Sequence, residues 1–477
     1  MIFNSLTYII FLTIIVLLYW ILPYRSRLFL ILFVSLAFYG FWRIEFVPVM
    51  LLSTIVDYFV SLQIPKAKQK NKKKLLYASL FINFGLLFYF KYLIFFSENA
   101  IGLANLLGAD LRPLTLNIIL PLGISFYTFQ TVSYTIDVYR EHIKPEKDFI
   151  LYACYVTFFP QLVAGPILRA AEVTDQLAHR PPFTLDNIAL GLRRIIQGLF
   201  LKVVLADNIA PLVDAGFAMP VATMSALDVW TLAFLFGFQI YFDFSAYSHI
   251  AIGSAKLMGI NFPENFDFPY LATSPRDFWR RWHISLSSWI RDYLYLPLAG
   301  VKVREHSVHG LSGAVQDNQK TKALFMTWAI MGLWHGANWT FLLWGIYHAL
   351  VVYIYRLVKP SSHKLNTYIS NVGGVIITLP VIMLAWVPFR AESLTATVGM
   401  WSKVVNPLAY TSLNMRENVY LVTAIILVGL FAAKWIQSLF KPSNTLTFFG
   451  ETVAYAVMIP LIIVFLRPIA QFIYFQF

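Results

Sequence analysis

Apolar runs of about 20 residues, separated by short polar loops, dominate this sequence. The run L-T-Y-I-I-F-L-T-I-I-V-L-L-Y-W, which begins at Leu6, is typical and shows no alternation of period two. Because backbone polar groups inside a bilayer must be hydrogen-bonded within the protein, such runs predict transmembrane helices. Charged residues are only 13% of the chain, against about 25% in ordinary globular proteins. The predicted fold class is therefore an all-α integral membrane protein.

The apolar runs predict eleven or twelve transmembrane helices in one membrane domain of residues 1–477, together with re-entrant and interfacial helices. The predicted spans lie near residues 6–22, 28–42, 44–64, 75–96, 115–136, 187–206, 227–245, 323–338, 339–358, 371–389, 418–437 and 451–475.

The loop charges predict the topology. Residues 66–74 carry six lysines, and short basic loops stay in the cytoplasm. Counting back places Arg25 and Arg27 inside and the N-terminus outside. No basic residue precedes the first apolar run, so we expect a permanent span and no cleavable signal peptide. The net charge of +13 is then loop charge that sets topology, and nucleic-acid binding is not expected because no basic soluble domain is visible.

Two stretches lack the pattern of a simple transmembrane helix. In residues 149–168 an apolar run is interrupted by Pro160, Gly165 and Pro166, with basic residues on both sides. We expect a broken, re-entrant segment that lines a cavity, with a proline-kinked span as the alternative. Residues 246–322 mix arginines with aromatic residues and predict short, partly embedded helices at the cytoplasmic face, ending in a flexible loop over 306–322.

Several classes of site are excluded by missing motifs. The chain has one cysteine, Cys154, so it has no internal disulfide and no multi-cysteine metal site. There is no G-x-S-x-G elbow, no H-E-x-x-H helix and no Walker A loop. We therefore expect neither a metal nor a tightly bound cofactor.

The segment Met331–Trp339, M-G-L-W-H-G-A-N-W, places a histidine inside an apolar run. His335 follows the basic loop by about 12 residues, which corresponds to a depth of roughly 18 Å in a helix. Ionisable groups at such depth are costly and point to function. A neutral imidazole can take a proton from an alcohol. An interhelical hydrogen bond, or a proton relay in a transporter, is the alternative interpretation.

Three further segments carry candidate residues. Residues 277–293 contain His283 and the pair Arg280 and Arg281, which suits phosphate groups arriving from the cytoplasm; an interfacial helix with tryptophan anchors is the alternative. Asp243, at the end of a span, could pair with an arginine of that segment or form a plain structural ion pair. Residues 122–130 are rich in small and hydroxyl side chains, which favours close helix packing.

Long motifs resemble a known family. They are P-L-G-I-S-F-Y-T-F-Q from Pro121, F-F-P-Q-L-V-A-G-P from Phe158, R-R-W-H-I-S-L-S-S-W-I-R-D-Y-L-Y-L-P-L from Arg280, G-L-W-H-G-A-N-W-T-F-L-L-W-G from Gly332, and W-V-P-F-R-A from Trp386. Together they resemble the membrane-bound O-acyltransferase superfamily, and more narrowly its bacterial branch that includes alginate O-acetyltransferase. The resemblance covers roughly residues 1–392, in order.

The resemblance implies a ring of helices around a thin central region, with His335 as the catalytic histidine and His283 at the second family position. It implies acetyl-CoA as the acyl donor, a polysaccharide acceptor, a periplasmic acyltransferase partner and a place in the bacterial inner membrane. The remaining candidates for the acyl-donor site or tunnel are Arg280, Arg281, Trp282, Ser285, Asp243, Trp334 and Asn338.

Alternative functions remain open from the sequence. The same branch includes proteins that transfer D-alanine to teichoic acid, and O-acetylation of peptidoglycan is a further possibility. A glycan or lipid transporter is the alternative from another class. Transporters often contain paired broken helices, and only one broken segment is predicted here.

Overall fold

The computed structural model describes residues 3–162, 165–179, 181–301, 317–358, 367–439 and 445–466. For residues 367–371, 433–439 and 445–448 it describes the backbone alone. Within these ranges all regular structure is helical, which confirms the predicted all-α class. The described residues divide into two compact units, one of residues 3–192 and 251–263 and the other of residues 193–250, 264–301 and 317–466. The prediction of one membrane domain stays a prediction.

The first unit contains the N-terminal helices. They are α1 (Leu6–Ile21), α2 (Tyr24–Gly40), α3 (Val47–Gln63), α4 (Gln69–Leu87), α5 (Leu93–Leu106), α6 (Ile124–Tyr139), α7 (Phe149–Thr157), α8 (Phe159–Leu162), α9 (Ala170–Ala178) and the first half of α10 (Leu185–Leu199). A π-helical segment, Phe88–Tyr92, joins α4 to α5 without a break.

The second unit contains the remaining helices. They are α11 (Asp207–Phe217), α12 (Ala226–Leu257), α13 (Pro275–Arg281), α14 (Ile284–Ile290), α15 (Leu296–Leu298), α16 (Asp317–His335), α17 (Trp339–Val358), α18 (Thr367–Arg390), α19 (Leu394–Val405), α20 (Glu417–Leu439) and α21 (Thr445–Phe465). The last turns of α12, from Ala251, belong to the first unit.

Several helices are long and apolar enough to cross a membrane. Five helical stretches meet this criterion in the described part of the chain: Ile44–Lys66, Gln69–Leu106, Ala226–Leu257, Trp339–Val358 and Val372–Arg390. Three shorter apolar helices cover Leu6–Ile21, Glu417–Ala432 and Phe449–Phe465. The protein is thus a multi-pass membrane protein, while the predicted count of eleven or twelve spans stays a prediction.

One predicted span begins too early. Residues 109–123 have no regular structure, and α6 begins only at Ile124 rather than near residue 115. Gly123 precedes the helix with φ +69°, and a Cβ added there would lie 2.2 Å from the carbonyl oxygen of Leu162. Only glycine fits this backbone conformation and this close approach. The close packing predicted for residues 122–130 is therefore confirmed at its first turn.

The broken segment is confirmed as a break in the helix. The chain leaves α7 at Phe158, which has ψ 112°, and resumes as the single turn α8. The freed N–H of Phe159 donates to the Ser35 hydroxyl at 3.1 Å, and both residues are buried. Irregular backbone at membrane depth requires such a partner. The re-entrant path itself stays a prediction.

The prediction of short helices over residues 246–322 is wrong at its start, because residues 246–257 continue α12, and it is confirmed further on by α13 to α15. The predicted terminal loop is wrong in part, because α16 begins at Asp317 and makes residues 317–322 helical. An aspartate in the first turn favours this start through the helix dipole. The rest of the predicted loop, residues 306–316, lies outside the described residues.

A buried polar cluster ties α3, α4 and α6 together. Asp57 is fully buried and accepts hydrogen bonds from the Ser79 hydroxyl and from Asn83 Nδ2, the latter at 2.7 Å. Asn83 Oδ1 in turn accepts from the hydroxyls of Ser53 and Thr131. Buried polar groups in lipid are retained only when they are satisfied in this way, so Asn83 connects all three helices.

We expect Asn83→Ala to destabilise the protein by about 1–3 kcal/mol or more, because it leaves the Asp57 carboxylate short of a donor. Thermal unfolding of the purified protein in nanodiscs measures the effect. Asn71→Ala, at an exposed position of the same helix, is the matched control and should change stability little. Equal stability of both variants would contradict a structural role for the cluster.

Candidate active site

The hairpin of α16 and α17 positions the first predicted site residue. Gly332 and Gly345 face each other, since a Cβ added to either of them would lie 3.3 Å from the Cα of the other. Small residues thus let the two helices approach closely.

His335 is the last residue of α16 and is 5% exposed. Aromatic rings enclose its imidazole, with centroid distances of 4.9 Å to Trp334, 4.8 Å to Trp344 and 5.3 Å to Phe389. Such walls exclude water and hold the ring in place, which favours a defined orientation for proton transfer.

The turn after His335 contains Asn338, another of the candidate residues. Asn338 is exposed, and its Oδ1 accepts a hydrogen bond from the N–H of Thr340 at 3.0 Å. This is the contact of a helix N-cap, and it begins α17. The structure therefore gives Asn338 a role in the turn that supports His335.

His283 lies between α13 and α14 and is 1% exposed. Its Nδ1 is 3.1 Å from Asn265 Oδ1, and its ring meets the ring of Phe244 edge to face at 4.6 Å. Burial lowers the pKa of His283 to about 3, because desolvation disfavours the imidazolium. The side chain is therefore neutral near pH 7. Ser285 donates its hydroxyl to the same Asn265 oxygen at 2.9 Å.

A path of aromatic rings connects the two histidines. Trp344 contacts His335 and lies 6.4 Å from Trp386, and Trp386 lies 5.0 Å from Trp282, the neighbour of His283 in sequence. All these residues belong to the second unit. The structure thus places His335, Trp334, Trp282 and His283 in one buried aromatic region.

The two predicted phosphate-binding arginines differ in their surroundings. Arg281 pairs with Asp277 at 3.0 Å and with Asp267 at 3.4 Å, whereas Arg280 is exposed. An arginine held by two carboxylates has less capacity for a phosphate. Of this pair, Arg280 is the better placed to meet an anion from solution.

Asp243 forms a buried ion pair with a lysine. It lies 2.8 Å from Lys202 Nζ, and the same Nζ lies 2.8 Å from Asp207, which agrees with the alternative of a structural ion pair. Lys202 belongs to a π-helical segment, Phe200–Ala206. A π-turn brings residues five apart onto one face, which an α-helix does not do. This segment therefore aligns Lys202 with Asp207.

Sequence reasoning missed four residues of this region: Lys202, Asp207, Asn265 and His348. His348 is fully buried among Trp279, Trp328 and Trp344, with centroid distances of 4.9, 5.2 and 4.8 Å. Its two ring nitrogens have no hydrogen-bond partner in the described part of the chain. An ionisable residue inside an apolar run was the available signal for Lys202 and His348.

Two further results concern metal binding and the surroundings of the cysteine, Cys154. The described residues contain no group of three or more His, Cys, Asp or Glu side chains that could hold a metal ion. Cys154 is buried and its thiol donates to the Leu28 carbonyl oxygen at 3.2 Å, as expected of a small core residue.

The helical membrane fold agrees with the comparison to known proteins. The family described as MBOAT, membrane-bound O-acyltransferase family, matches residues 139–389. The chain therefore belongs to this family and is an acyltransferase, as the sequence motifs predicted.

Three individual relatives show which members of the family the chain resembles. The chain is 37% identical to a probable alginate O-acetylase of Azotobacter vinelandii, over 84% of this chain and 77% of that protein. It is 36% identical to a peptidoglycan O-acetyltransferase of Helicobacter pylori, over 80% and 74% of the two chains. A teichoic acid D-alanyltransferase of Bacillus subtilis is 27% identical over 56% and 66%.

Proposed function

We propose that this acyltransferase takes an acetyl group from cytoplasmic acetyl-CoA and transfers it across the membrane for O-acetylation of an extracytoplasmic polysaccharide such as alginate. The observation that carries the proposal is the enclosed His335 in a chain that matches an alginate O-acetylase over most of both lengths.

In this proposal His335 is the general base. Its neutral imidazole takes the proton of the acceptor hydroxyl, and the oxygen attacks the carbonyl carbon of the thioester. The C–S bond breaks, the ester forms, and the imidazolium returns the proton to the departing thiolate. The proton that leaves the hydroxyl therefore ends on the released thiol, and no cofactor takes part.

In this proposal the other candidate residues bind the acyl donor or line the tunnel. Arg280, exposed at the predicted cytoplasmic face, meets the donor phosphates. Trp282 and Trp334 form walls of the tunnel, while His283 with Ser285 lies further along the aromatic path. The Lys202 pair holds Asp243 in place at the wall.

The cellular setting is part of the proposal. The protein lies in the bacterial inner membrane with its N-terminus outside, because the lysine-rich loop of residues 66–74 stays in the cytoplasm. A periplasmic acyltransferase partner completes transfer to the polysaccharide.

One observation favours peptidoglycan as the alternative acceptor. The peptidoglycan O-acetyltransferase of Helicobacter pylori matches over nearly the same share of this chain as the alginate relative. Peptidoglycan is therefore the leading alternative acceptor. D-alanyl transfer to teichoic acid follows, since that relative covers little more than half of the chain.

The test expresses the protein in a host that makes alginate and peptidoglycan and supplies a periplasmic acyltransferase but lacks its own membrane acyltransferase, and it measures the ester-linked acetyl groups on each polymer. Acetylated alginate supports the proposal. Acetyl groups on peptidoglycan alone establish the alternative acceptor. Washed membranes fed with [14C]acetyl-CoA or with a D-alanyl carrier protein then identify the donor, and label from the carrier protein alone would overturn the acetyl proposal.

A further inference from the structure

Asn265 is a fully buried asparagine in the irregular connection between α12 and α13. Its side chain makes four hydrogen-bonding contacts with residues of the second unit. They are the Ser285 N–H to Oδ1 at 3.3 Å, the Ser285 hydroxyl to Oδ1 at 2.9 Å, His283 Nδ1 with Oδ1 at 3.1 Å, and Nδ2 to the Ser248 hydroxyl at 3.1 Å.

These contacts determine which way the amide points. A backbone N–H can only donate, so the atom that faces the Ser285 N–H must be the oxygen of Asn265. The same oxygen faces Nδ1 of His283 at 3.1 Å. An amide oxygen can only accept, so Nδ1 must be the protonated nitrogen of that imidazole.

The tautomer leaves a lone pair on the opposite nitrogen. Nε2 of His283 is buried and has no hydrogen-bond partner in the described part of the chain. The low pKa of the buried ring, about 3, keeps it neutral, so Nε2 is an acceptor and not a second donor. Buried polar atoms are rarely left without a partner unless function uses them.

The backbone around His283 shows that its position is enforced. His283 has φ +43°, a left-handed conformation that is uncommon for a residue other than glycine. The N–H of Ile284 donates to the Asn265 carbonyl at 2.9 Å, and the N–H of Asp267 donates to the Arg281 carbonyl at 3.0 Å. The Asn265 segment thus pairs with the backbone on both sides of His283. Strain of this kind clusters at functional sites.

We propose that Asn265 is a positioning residue, which holds His283 as the Nδ1–H tautomer and presents the unprotonated Nε2 to accept a hydrogen bond from a second hydroxyl of the acyl acceptor, beside the one that His335 deprotonates. The identity of that hydroxyl rests on the proposed acyl transfer, whereas the tautomer does not. Among acyl-transfer sites, a histidine whose second nitrogen is fixed by a side chain is a recurring arrangement.

The experiment compares three variants of the full chain in nanodiscs, labelled with 15N-histidine. The His283 signals are identified by their loss in His283→Phe, and the shifts of the two ring nitrogens report which one carries the proton. We expect a protonated Nδ1 in the unsubstituted protein and in Asn265→Asp, which keeps an acceptor oxygen. Asn265→Leu, of similar size but without an acceptor, should move the proton to Nε2.

Activity gives the second readout. Asn265→Leu should lower kcat about 10- to 100-fold, the effect of losing one buried hydrogen bond, with little change in KM for the donor, and Asn265→Asp should recover most of the loss. Asn71→Leu, exposed in α4, is the control for the same substitution away from the site. A proton on Nε2 in the unsubstituted protein would overturn the proposal. So would an unchanged tautomer or an unchanged kcat in Asn265→Leu.

The two proposals fail in different ways. If the acetyl-transfer proposal is wrong, the unsubstituted protein itself does not acetylate alginate, while the spectra of the Asn265 variants still differ. If the positioning proposal is wrong, the unsubstituted protein is active and its His283 spectrum does not respond to Asn265→Leu.

Discussion

Replacing His335 by alanine should lower the rate of acyl transfer by about 10²- to 10⁴-fold, which is the contribution of a positioned general base. The loss should fall on kcat, because the aromatic walls formed by Trp334, Trp344 and Phe389 remain in place. The measurement is single-turnover acetyl transfer by purified protein in nanodiscs, at matched protein concentration.

Two controls separate chemistry from folding. His179→Ala removes an exposed histidine and should leave the rate unchanged. The thermal stability and elution volume of His335→Ala should match those of the unsubstituted protein. A folded His335→Ala variant with full activity would show that His335 is structural and that the base lies elsewhere.

Replacing Lys202 by methionine should have the largest effect on stability. Lys202 is 1% exposed and pairs with both Asp207 and Asp243. Removal of one member of a buried ion pair costs about 3–5 kcal/mol, because the remaining charges are left uncompensated. We therefore expect a lower unfolding temperature and less folded protein in the membrane.

Removal of all three charges should reverse much of this loss. The variant Lys202→Met with Asp207→Asn and Asp243→Asn has no uncompensated charge, and such replacements are often neutral in stability. Lys320→Met is the matched control, because Lys320 pairs with Asp317 at the surface and exposed pairs contribute little. If the single and triple variants unfold at the same temperature, the ion pairs do not stabilise the fold.

Much of the fold could be predicted because the membrane acts on local sequence. A run of apolar residues must be helical wherever it lies in lipid, so α3, α12 and α17 follow from length and hydropathy alone. Helix boundaries were less accurate. The start of α6 depends on Gly123 against Leu162, a contact between residues far apart in the chain.

The two histidines of the candidate site could be predicted from the sequence, but the residues that contact them could not. His335 and His283 stand in long motifs that the sequence displays directly. Asn265 lies 18 residues before His283, and its importance comes from one hydrogen bond that the tertiary fold creates. The lysine partner of Asp243 was missed for the same reason, since this ion pair joins residues that lie 41 positions apart in the chain.

The sequence by itself determined the class of protein and the helical fold, and it pointed to the two candidate histidines, because hydropathy and motifs are local properties. Only the tertiary structure decided which side chains meet: the aromatic walls of His335, the Asn265 contact of His283 and the lysine between two aspartates. Such contacts depend on how helices pack, and helix packing in lipid is set by small residues and buried polar groups spread along the whole chain.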